Sequence, residues 1–98
     1  MNGAELIAQE RQRQVEQEGY SAEQDDQHKK EQLVFAAMAY CWAGKSDRPG
    51  NYTTIAYSAW PWDREAWKPK DRLSNLVRAG ALIAAEIDRF LREGANAG

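Results

Sequence analysis

The sequence predicts an all-α fold, a small bundle of three main helices with a long tryptophan-rich loop before the last helix. Three segments of the 98-residue chain either repeat apolar residues at three- and four-residue spacing or stay apolar over several turns. Residue types that commonly cap helices flank these segments. The connection between the second and third segments, residues 44–68, is long for a compact domain. We therefore assign residues 1–93 to one helical domain and residues 94–98 to a flexible tail.

Composition and charge narrow the possible functions. Hydrophobic residues make up 43% of the chain and charged residues 29%, as in ordinary globular domains. The formal net charge of −2 argues against direct binding to DNA or RNA, which uses clustered Lys and Arg. No apolar run reaches the length that spans a membrane. Cys41 is the only cysteine, so no internal disulfide forms and a cytoplasmic location is expected.

The first predicted helix covers Gly3 to Glu18. Asn2 and Glu5 have the spacing of a capping box, and Gly19 is placed to end the helix. The apolar residues form one narrow stripe, made of Ala4, Ile7, Ala8 and Val15. Such a stripe buries little surface, so this helix needs a neighbour to stay folded.

The second predicted helix covers Gln27 to Ala43. Its last eleven residues, LVFAAMAYCWA, are all apolar or aromatic. A helix that is apolar on every side is expected to be buried on every side. Two other helices cannot surround it, so we expect the bundle to be completed by association into a homo-oligomer.

The third predicted helix begins near Pro69 and ends before Gly94. Proline suits the first helical turn, and Asp71 would interact favourably with the helix dipole. The small residues of AGALIAA, at positions 79–85, would let another helix approach closely. Apolar residues recur at helical spacing along the segment, namely Leu73, Leu76, Val77, Ile83, Ile87 and Phe90.

The loop AWPWDREAWKPKDR, residues 59–72, has two interpretations. It could close the open side of the bundle with its large rings. Alternatively, aromatic faces beside cations and the next helix N-terminus suit a flat anionic ligand such as a nucleotide. Pro61 should keep this stretch extended, so that the neighbouring tryptophan rings face opposite ways, one inward and one toward the ligand. The candidate ligand-binding residues are Trp60, Trp62, Trp67, Lys68, Lys70 and Arg72.

An acidic stretch before the second helix forms a second candidate site. If that helix starts at Gln27, His28 and Glu31 share one face. Carboxylates with one imidazole suit magnesium or manganese, although the same acidic residues also suit a helix cap. Carboxylates on other helices could either join such a site or pair with arginines. The candidate metal ligands are Glu10, Asp25, Asp26, His28, Glu31 and Glu86.

Six short motifs spread along the chain occur together. They are ERQRQ (10–14), EGY (18–20), DDQH (25–28), WPW (60–62), WKPKDR (67–72) and LVRAGALIAAEIDR (76–89). In combination they resemble a family of small proteins carried by tailed phages and prophages. The resemblance covers nearly the whole chain and implies a phage or prophage origin and action in the host cytoplasm.

The helical, acidic character is also similar to that of MazG-like nucleoside triphosphate pyrophosphohydrolases. Those all-α oligomers hold magnesium with an E-x-x-E pair on one helix and an E-x-x-D pair on another. This chain has no E-x-x-E pair, and its one E-x-x-D pair, Glu23 with Asp26, precedes the second predicted helix.

Three functions follow as expectations. The leading one is binding of a small anionic, nucleotide-like ligand, without a cofactor, to sequester a host defence signal. The second is magnesium-dependent hydrolysis of nucleotides at the acidic residues. The third is inhibition of a host enzyme through the tryptophan-rich loop as a protein-binding surface.

Overall fold

The computed structural model describes residues 1–17, 31–43 and 58–97. Within these ranges the chain forms three α-helices and one short 3₁₀ helix, residues 58 and 59 are also helical, and no strand is formed. The predicted all-α fold is confirmed. The helices are α1 (Gly3–Gln17), α2 (Gln32–Trp42) and α3 (Arg72–Ala97), and the 3₁₀ helix is Arg64–Ala66.

Helix α3 is the longest element and packs against both α1 and α2. Its 26 residues span about 39 Å at 1.5 Å per residue, so it exceeds both neighbours in length. The order of the elements in the fold is therefore α1, α3, α2, with α3 supplying a different side to each partner. None of the helices in the described ranges is long and apolar enough to cross a membrane.

The predicted capping box begins α1. The backbone N–H of Glu5 donates to Asn2 Oδ1 over 2.9 Å, and the backbone N–H of Asn2 donates to Glu5 Oε1 over 3.3 Å. This reciprocal pair satisfies N–H groups that have no partner inside the helix. The helix is described as far as Gln17, and the predicted end at Gly19 lies outside the described residues.

The packed side of α1 differs from the predicted apolar stripe. Val15 is exposed, whereas Gln14 is buried. The cause lies at Gly80 of α3, where a Cβ atom would stand only 2.5 Å from Ile7 Cδ1. Because Ile7 fills the space that this glycine leaves, the residue two turns later, Gln14, also turns inward. Gln14 Nε2 donates to Glu10 Oε2 over 3.2 Å.

Helix α2 begins later than predicted. Glu31 directly precedes it with φ of 62°, the left-handed conformation, which an α-helix cannot contain. A continuous helix from Gln27 is therefore wrong, although Gln27 itself lies outside the described residues. The predicted end is confirmed, since the Ala43 N–H still donates to the Ala39 carbonyl over 3.1 Å while Ala43 is extended.

One side of α2 packs against α3, and the other does not. Leu33, Ala36 and Tyr40 are buried, but Phe35 is 42% exposed and Met38 is 38% exposed. A single chain therefore leaves one side of this helix uncovered, as expected when two other helices cannot surround it, and its burial by a second copy stays a prediction. Alanines fill much of the contact with α3, so the two helices lie close together while larger side chains point outward.

Helix α3 starts at Arg72 rather than near Pro69. Asp71 caps it, since Oδ2 accepts from the Ser74 N–H over 3.1 Å and Oδ1 from the Ser74 hydroxyl over 2.7 Å. The buried Asn75 side chain bonds both backbone groups of Lys70, which holds the preceding segment in a turn and off the helix. At its other end, α3 continues past Gly94 to Ala97, so the predicted stop at Gly94 is wrong.

Candidate functional site

The tryptophans of the loop belong to an aromatic cluster, formed by Tyr40, Trp60, Trp62 and Trp67. The Trp60 ring lies 5.5 Å from the Tyr40 ring and 5.0 Å from the Trp67 ring, centroid to centroid. Trp67 in turn lies 4.9 Å from Tyr40. Trp60 is only 8% exposed and belongs to the hydrophobic core, against which Trp62 and Trp67 are packed. The cluster therefore closes one side of the bundle.

Trp60 and Trp62 do not face opposite ways. Their ring centroids are 5.1 Å apart with planes at 85°, an edge-to-face contact. The expectation of an extended pair is wrong because the chain turns after Pro61. Trp60 Nε1 donates to the Asp63 carbonyl over 2.9 Å, and Ala66 N donates to the same oxygen over 3.0 Å as the 3₁₀ helix forms.

Arg72 connects the start of α3 to the end of α2. Its Nη1 donates to the carbonyl oxygens of Cys41 and, over 3.3 Å, Ala43. These are the carbonyl groups that a helix leaves without partners at its C-terminus, where a positive charge is stabilising. The guanidinium predicted to meet a phosphate thus caps a helix.

The N-terminus of α3 already holds an anion, the Asp71 carboxylate. The hydroxyl and the backbone N–H of Ser74 both donate to it, and they lower the pKa of Asp71 below its usual range. Since an ionised carboxylate occupies these donors, the helix end offers less to a phosphate than the sequence suggested.

A groove of about 620 Å³ lies between α1 and α3. We call it the α1–α3 groove. Its size falls within the range of small-molecule sites. Lys70 is the one predicted ligand-binding residue that lines it. The lining consists of Leu6, Gln9, Glu10, Arg13, Gln17, Lys70, Leu73, Ser74, Val77 and Arg78.

Glu10 and Arg13 form the charged wall that α1 contributes to the groove. Two hydrogen bonds of 2.7 Å each join the guanidinium to the carboxylate. Burial disfavours the ionised form of Glu10, but Arg13 outweighs it, with help from Gln14 and from the charge of Arg78, so the Glu10 pKa is lowered. The carboxylate therefore stays ionised and neutralises Arg13.

Lys70 and Arg78 supply the remaining charge of the groove. Among the described residues, neither has an ion-pair partner closer than 4.0 Å. Arg78 Nη1 donates to the Lys68 carbonyl over 2.9 Å, and its guanidinium lies 5.7 Å from the centre of the Tyr40 ring. These contacts fix Arg78 between the aromatic cluster and the groove, so the cluster supports one wall of the groove.

Lys68, the remaining predicted phosphate contact, is exposed but does not line the groove. Leu6, Leu73 and Val77 give the groove an apolar part beside its cations. The arrangement suits a ligand with an anionic group at one end and an apolar or flat body at the other. The sequence indicates Arg13 and Arg78 only as possible partners of a buried carboxylate and not as part of a ligand site; the i, i+3 spacing of Glu10 and Arg13 indicates that pair.

The candidate metal ligands divide into three groups. Glu10 and Glu86 each bond an arginine three residues later in the chain, Arg13 and Arg89 respectively. Glu31 is exposed and lies outside α2, so it shares no helical face with a residue before it. Within the described ranges no three His, Cys, Asp or Glu residues come together to hold a metal. Asp25, Asp26 and His28 lie outside the described residues.

A second, smaller groove of about 470 Å³ lies beside the exposed side of α2. It is mostly apolar, and Phe35, Met38, Trp42 and Pro61 contribute to it. This groove contains no charged side chain among its described lining residues, so it has nothing that would hold an anion.

The α1–α3 groove is thus the strongest candidate site, with two cations, one neutralised ion pair and an apolar wall. The residues that line it come from α1, from the turn before α3 and from the first two turns of α3. Comparison of the chain with protein-family models, with curated proteins and with solved structures found no match.

Proposed function

We propose that this protein binds a small anionic ligand of nucleotide type in the α1–α3 groove. The observation that supports this most is the charge of the groove: among the described residues that line it, the only carboxylate near Lys70 and Arg78 is that of Glu10, which is already bonded to Arg13. An anion placed there would restore the balance. Hydrogen bonds to charged groups contribute about 1.5–3 kcal/mol each, so the loss of either cation should weaken binding measurably.

The body of the ligand would lie on the apolar wall of the groove. Leu6, Leu73 and Val77 offer a surface for a base or a ring of similar size. The tryptophans take a supporting part in this proposal, because they pack on Tyr40 and on each other and so hold Arg78 in place. With the phage or prophage origin that the motifs suggest, a host signalling nucleotide would be the natural ligand to sequester.

The magnesium-dependent hydrolase is the weaker proposal. Two of its six candidate ligands, Glu10 and Glu86, are bonded to arginines, and a metal would have to displace these partners. Inhibition of a host enzyme through the loop is likewise weaker. Trp60 is buried, so the rings do not form a flat exposed patch of the kind that dominates protein interfaces.

The test compares two neighbouring lysines by calorimetric titration with mono-, di- and triphosphate nucleotides and cyclic nucleotides. Lys70→Glu reverses a charge inside the groove, whereas Lys68→Glu makes the same change just outside it. We expect Lys70→Glu to weaken binding by about tenfold or more, equal to about 1.4 kcal/mol, and Lys68→Glu to have little effect.

Two controls complete this design. The unphosphorylated nucleoside should bind much more weakly than the nucleotide, and added magnesium should not produce pyrophosphate. Failure of every nucleotide to bind the unmodified protein would refute the proposal. Equal losses in the two lysine variants would place the ligand at the loop and not in the groove. Release of pyrophosphate would favour the hydrolase.

A further inference from the structure

A line of large apolar side chains is exposed along α3. Leu76, Ile83, Ile87 and Phe90 form this line, which we call the α3 stripe, and their exposed fractions range from 41% to 69%. At about 100° per residue the four positions fall within a sector of about 60°. Leu82, which packs against α2, points to another side of the helix. The stripe is therefore a separate apolar surface with no cover in the described chain.

The extent of this surface distinguishes it from scattered exposed residues, which are ordinary in soluble proteins. Leu73 and Leu91 flank its two ends and are 60% and 67% exposed. Together the six side chains expose as much as three fully exposed large residues. At about 150 Å² each, this amounts to about 500 Å² on one chain. Two such surfaces in contact bury about 1,000 Å², the lower limit of a specific interface.

We propose that the α3 stripe is the interface between two copies of this chain. Its spacing of seven, four and three residues is the spacing at which one helix packs along another in a coiled-coil seam. A partner must present a matching line of apolar side chains. A second copy of the chain does so because it carries the same stripe. A two-fold axis then brings each stripe against the other.

The charges beside the stripe also favour a second copy over a basic partner. Arg89 pairs with Glu86 and, over 2.9 Å, with Glu93, while Arg11 of α1 lies 3.8 Å from Asp88. Because each of these three carboxylates already has an arginine partner within the chain, the rim does not strongly attract a basic peptide. A second copy carries the same internally paired rim, so these carboxylates do not need partners across the contact.

This interface differs from the one that the sequence suggested. The all-apolar segment of α2 pointed to association through that helix, yet its Phe35 and Met38 expose less than Phe90 and lie on another element. The proposal is also independent of the ligand. Of the six side chains, Leu73 alone also lines the α1–α3 groove, so variants at the far end of α3 leave the groove intact.

The test is sedimentation velocity of the full chain over a series of dilutions at micromolar concentration. We expect the unmodified protein to sediment at twice the 11.1 kDa of one chain, with the single-chain mass appearing on dilution. Ile87→Glu and the milder Phe90→Ser should both sediment as single chains at every concentration. Circular dichroism should show an unchanged helical signal, since both side chains are exposed.

Met38→Glu serves as the matched control, because it places the same charge at the exposed apolar side of α2. It should leave the pair of copies intact. The proposal would be overturned by a single-chain mass for the unmodified protein throughout, by paired chains in both stripe variants, or by separation in Met38→Glu alone. Should Ile87→Glu lose its helical signal, Phe90→Ser decides the question.

Discussion

The two contacts of α3 differ in character although they share one helix. Toward α2 the contact is mostly apolar and built from alanines, two leucines and the aromatic cluster. Toward α1 it is narrow and polar, with Ile7 at Gly80 and an open groove beside the Glu10–Arg13 pair. Since α3 is common to both, the difference comes from the partner helices. From Leu33 onward α2 is apolar throughout, whereas α1 carries five charged side chains, at positions 5, 10, 11, 13 and 16.

This difference means that the two sides contribute unequally to the free energy of folding. Burial of apolar surface on the α2 side supplies most of the free energy of folding, in proportion to the area removed from water. On the α1 side, the 3.8 Å ion pair of Arg11 with Asp88 has its carboxylate half exposed and contributes little. We infer that α1 opens locally at a lower cost than global unfolding, which is typical of elements that form binding sites.

The largest expected effect on the free energy of unfolding is that of Trp60→Ala, which tests the apolar contact between α3 and α2. Trp60 is 8% exposed and contacts the other three rings of the aromatic cluster. Removal of a buried aromatic side chain costs about 3–5 kcal/mol, a large part of the stability of a small domain. Urea denaturation followed by circular dichroism measures this loss directly.

Lys70→Glu is the control from the polar side and should change the free energy of unfolding by less than about 0.5 kcal/mol, as exposed substitutions do. If Trp60→Ala and Lys70→Glu had equal free energies of unfolding, the aromatic cluster would not contribute to the core. The contact of α3 with α2 would then not be shown to stabilise the fold more than its contact with α1.

Much of the fold could be predicted from the sequence because helices follow from local pattern. The Asn2–Glu5 capping box and the end of α2 at Ala43 were both readable from neighbouring residues. The starts of α2 and α3 were not. They depend on the left-handed backbone of Glu31 and on the Asn75 side chain that bonds Lys70, and no rule of local pattern anticipates these.

Of the six predicted ligand-binding residues, Lys70 lines the candidate groove and the other five do not. Cations and aromatic rings do come together, yet the loop directs its rings toward Tyr40 and Arg72 toward the end of α2. Such contacts join positions about 30 residues apart and leave no trace in local spacing. Arg78 is held by the Lys68 carbonyl, 10 residues away, and by the Tyr40 ring, 38 residues away, so its position in the groove became visible only with the fold.

The intermediate expected effect concerns Arg72. Arg72→Met keeps the length of the side chain but removes the donor to the Cys41 and Ala43 carbonyls, so about 1.5–3 kcal/mol of stability should be lost. Arg72→Lys should recover part of it, because a point charge still favours the end of α2. The measurement is again urea denaturation, with nucleotide titration of each folded variant. If Arg72→Met left the free energy of unfolding unchanged but abolished nucleotide binding, Arg72 would have to be assigned to the ligand site and not to the helix cap.

The smallest expected effect is that of Gly80→Ala, which tests how α1 docks. An alanine in a helix interior is favoured over glycine by about 0.5–1 kcal/mol, whereas overpacking costs about 1–3 kcal/mol. The added Cβ would lie 2.5 Å from Ile7 Cδ1 and 2.8 Å from Ile7 Cγ1, closer than real contacts allow. Because these atoms form the end of a side chain that can move, the overpacking cost should be at the low end. We expect a net loss of about 1 kcal/mol or less.

Ile7→Ala in the same chain reveals whether the loss comes from this contact. In a double-mutant cycle, Gly80→Ala should be destabilising when Ile7 is present and neutral or stabilising when residue 7 is alanine. The coupling free energy, measured from urea denaturation of the four proteins, should then favour the double variant by about 1 kcal/mol. Additive effects would mean that the contact between Ile7 and Gly80 does not determine how α1 packs against α3. The position of α1 beside the groove would then have no support from this contact, and the ligand proposal would have to be tested with variants of the α3 residues that line the groove.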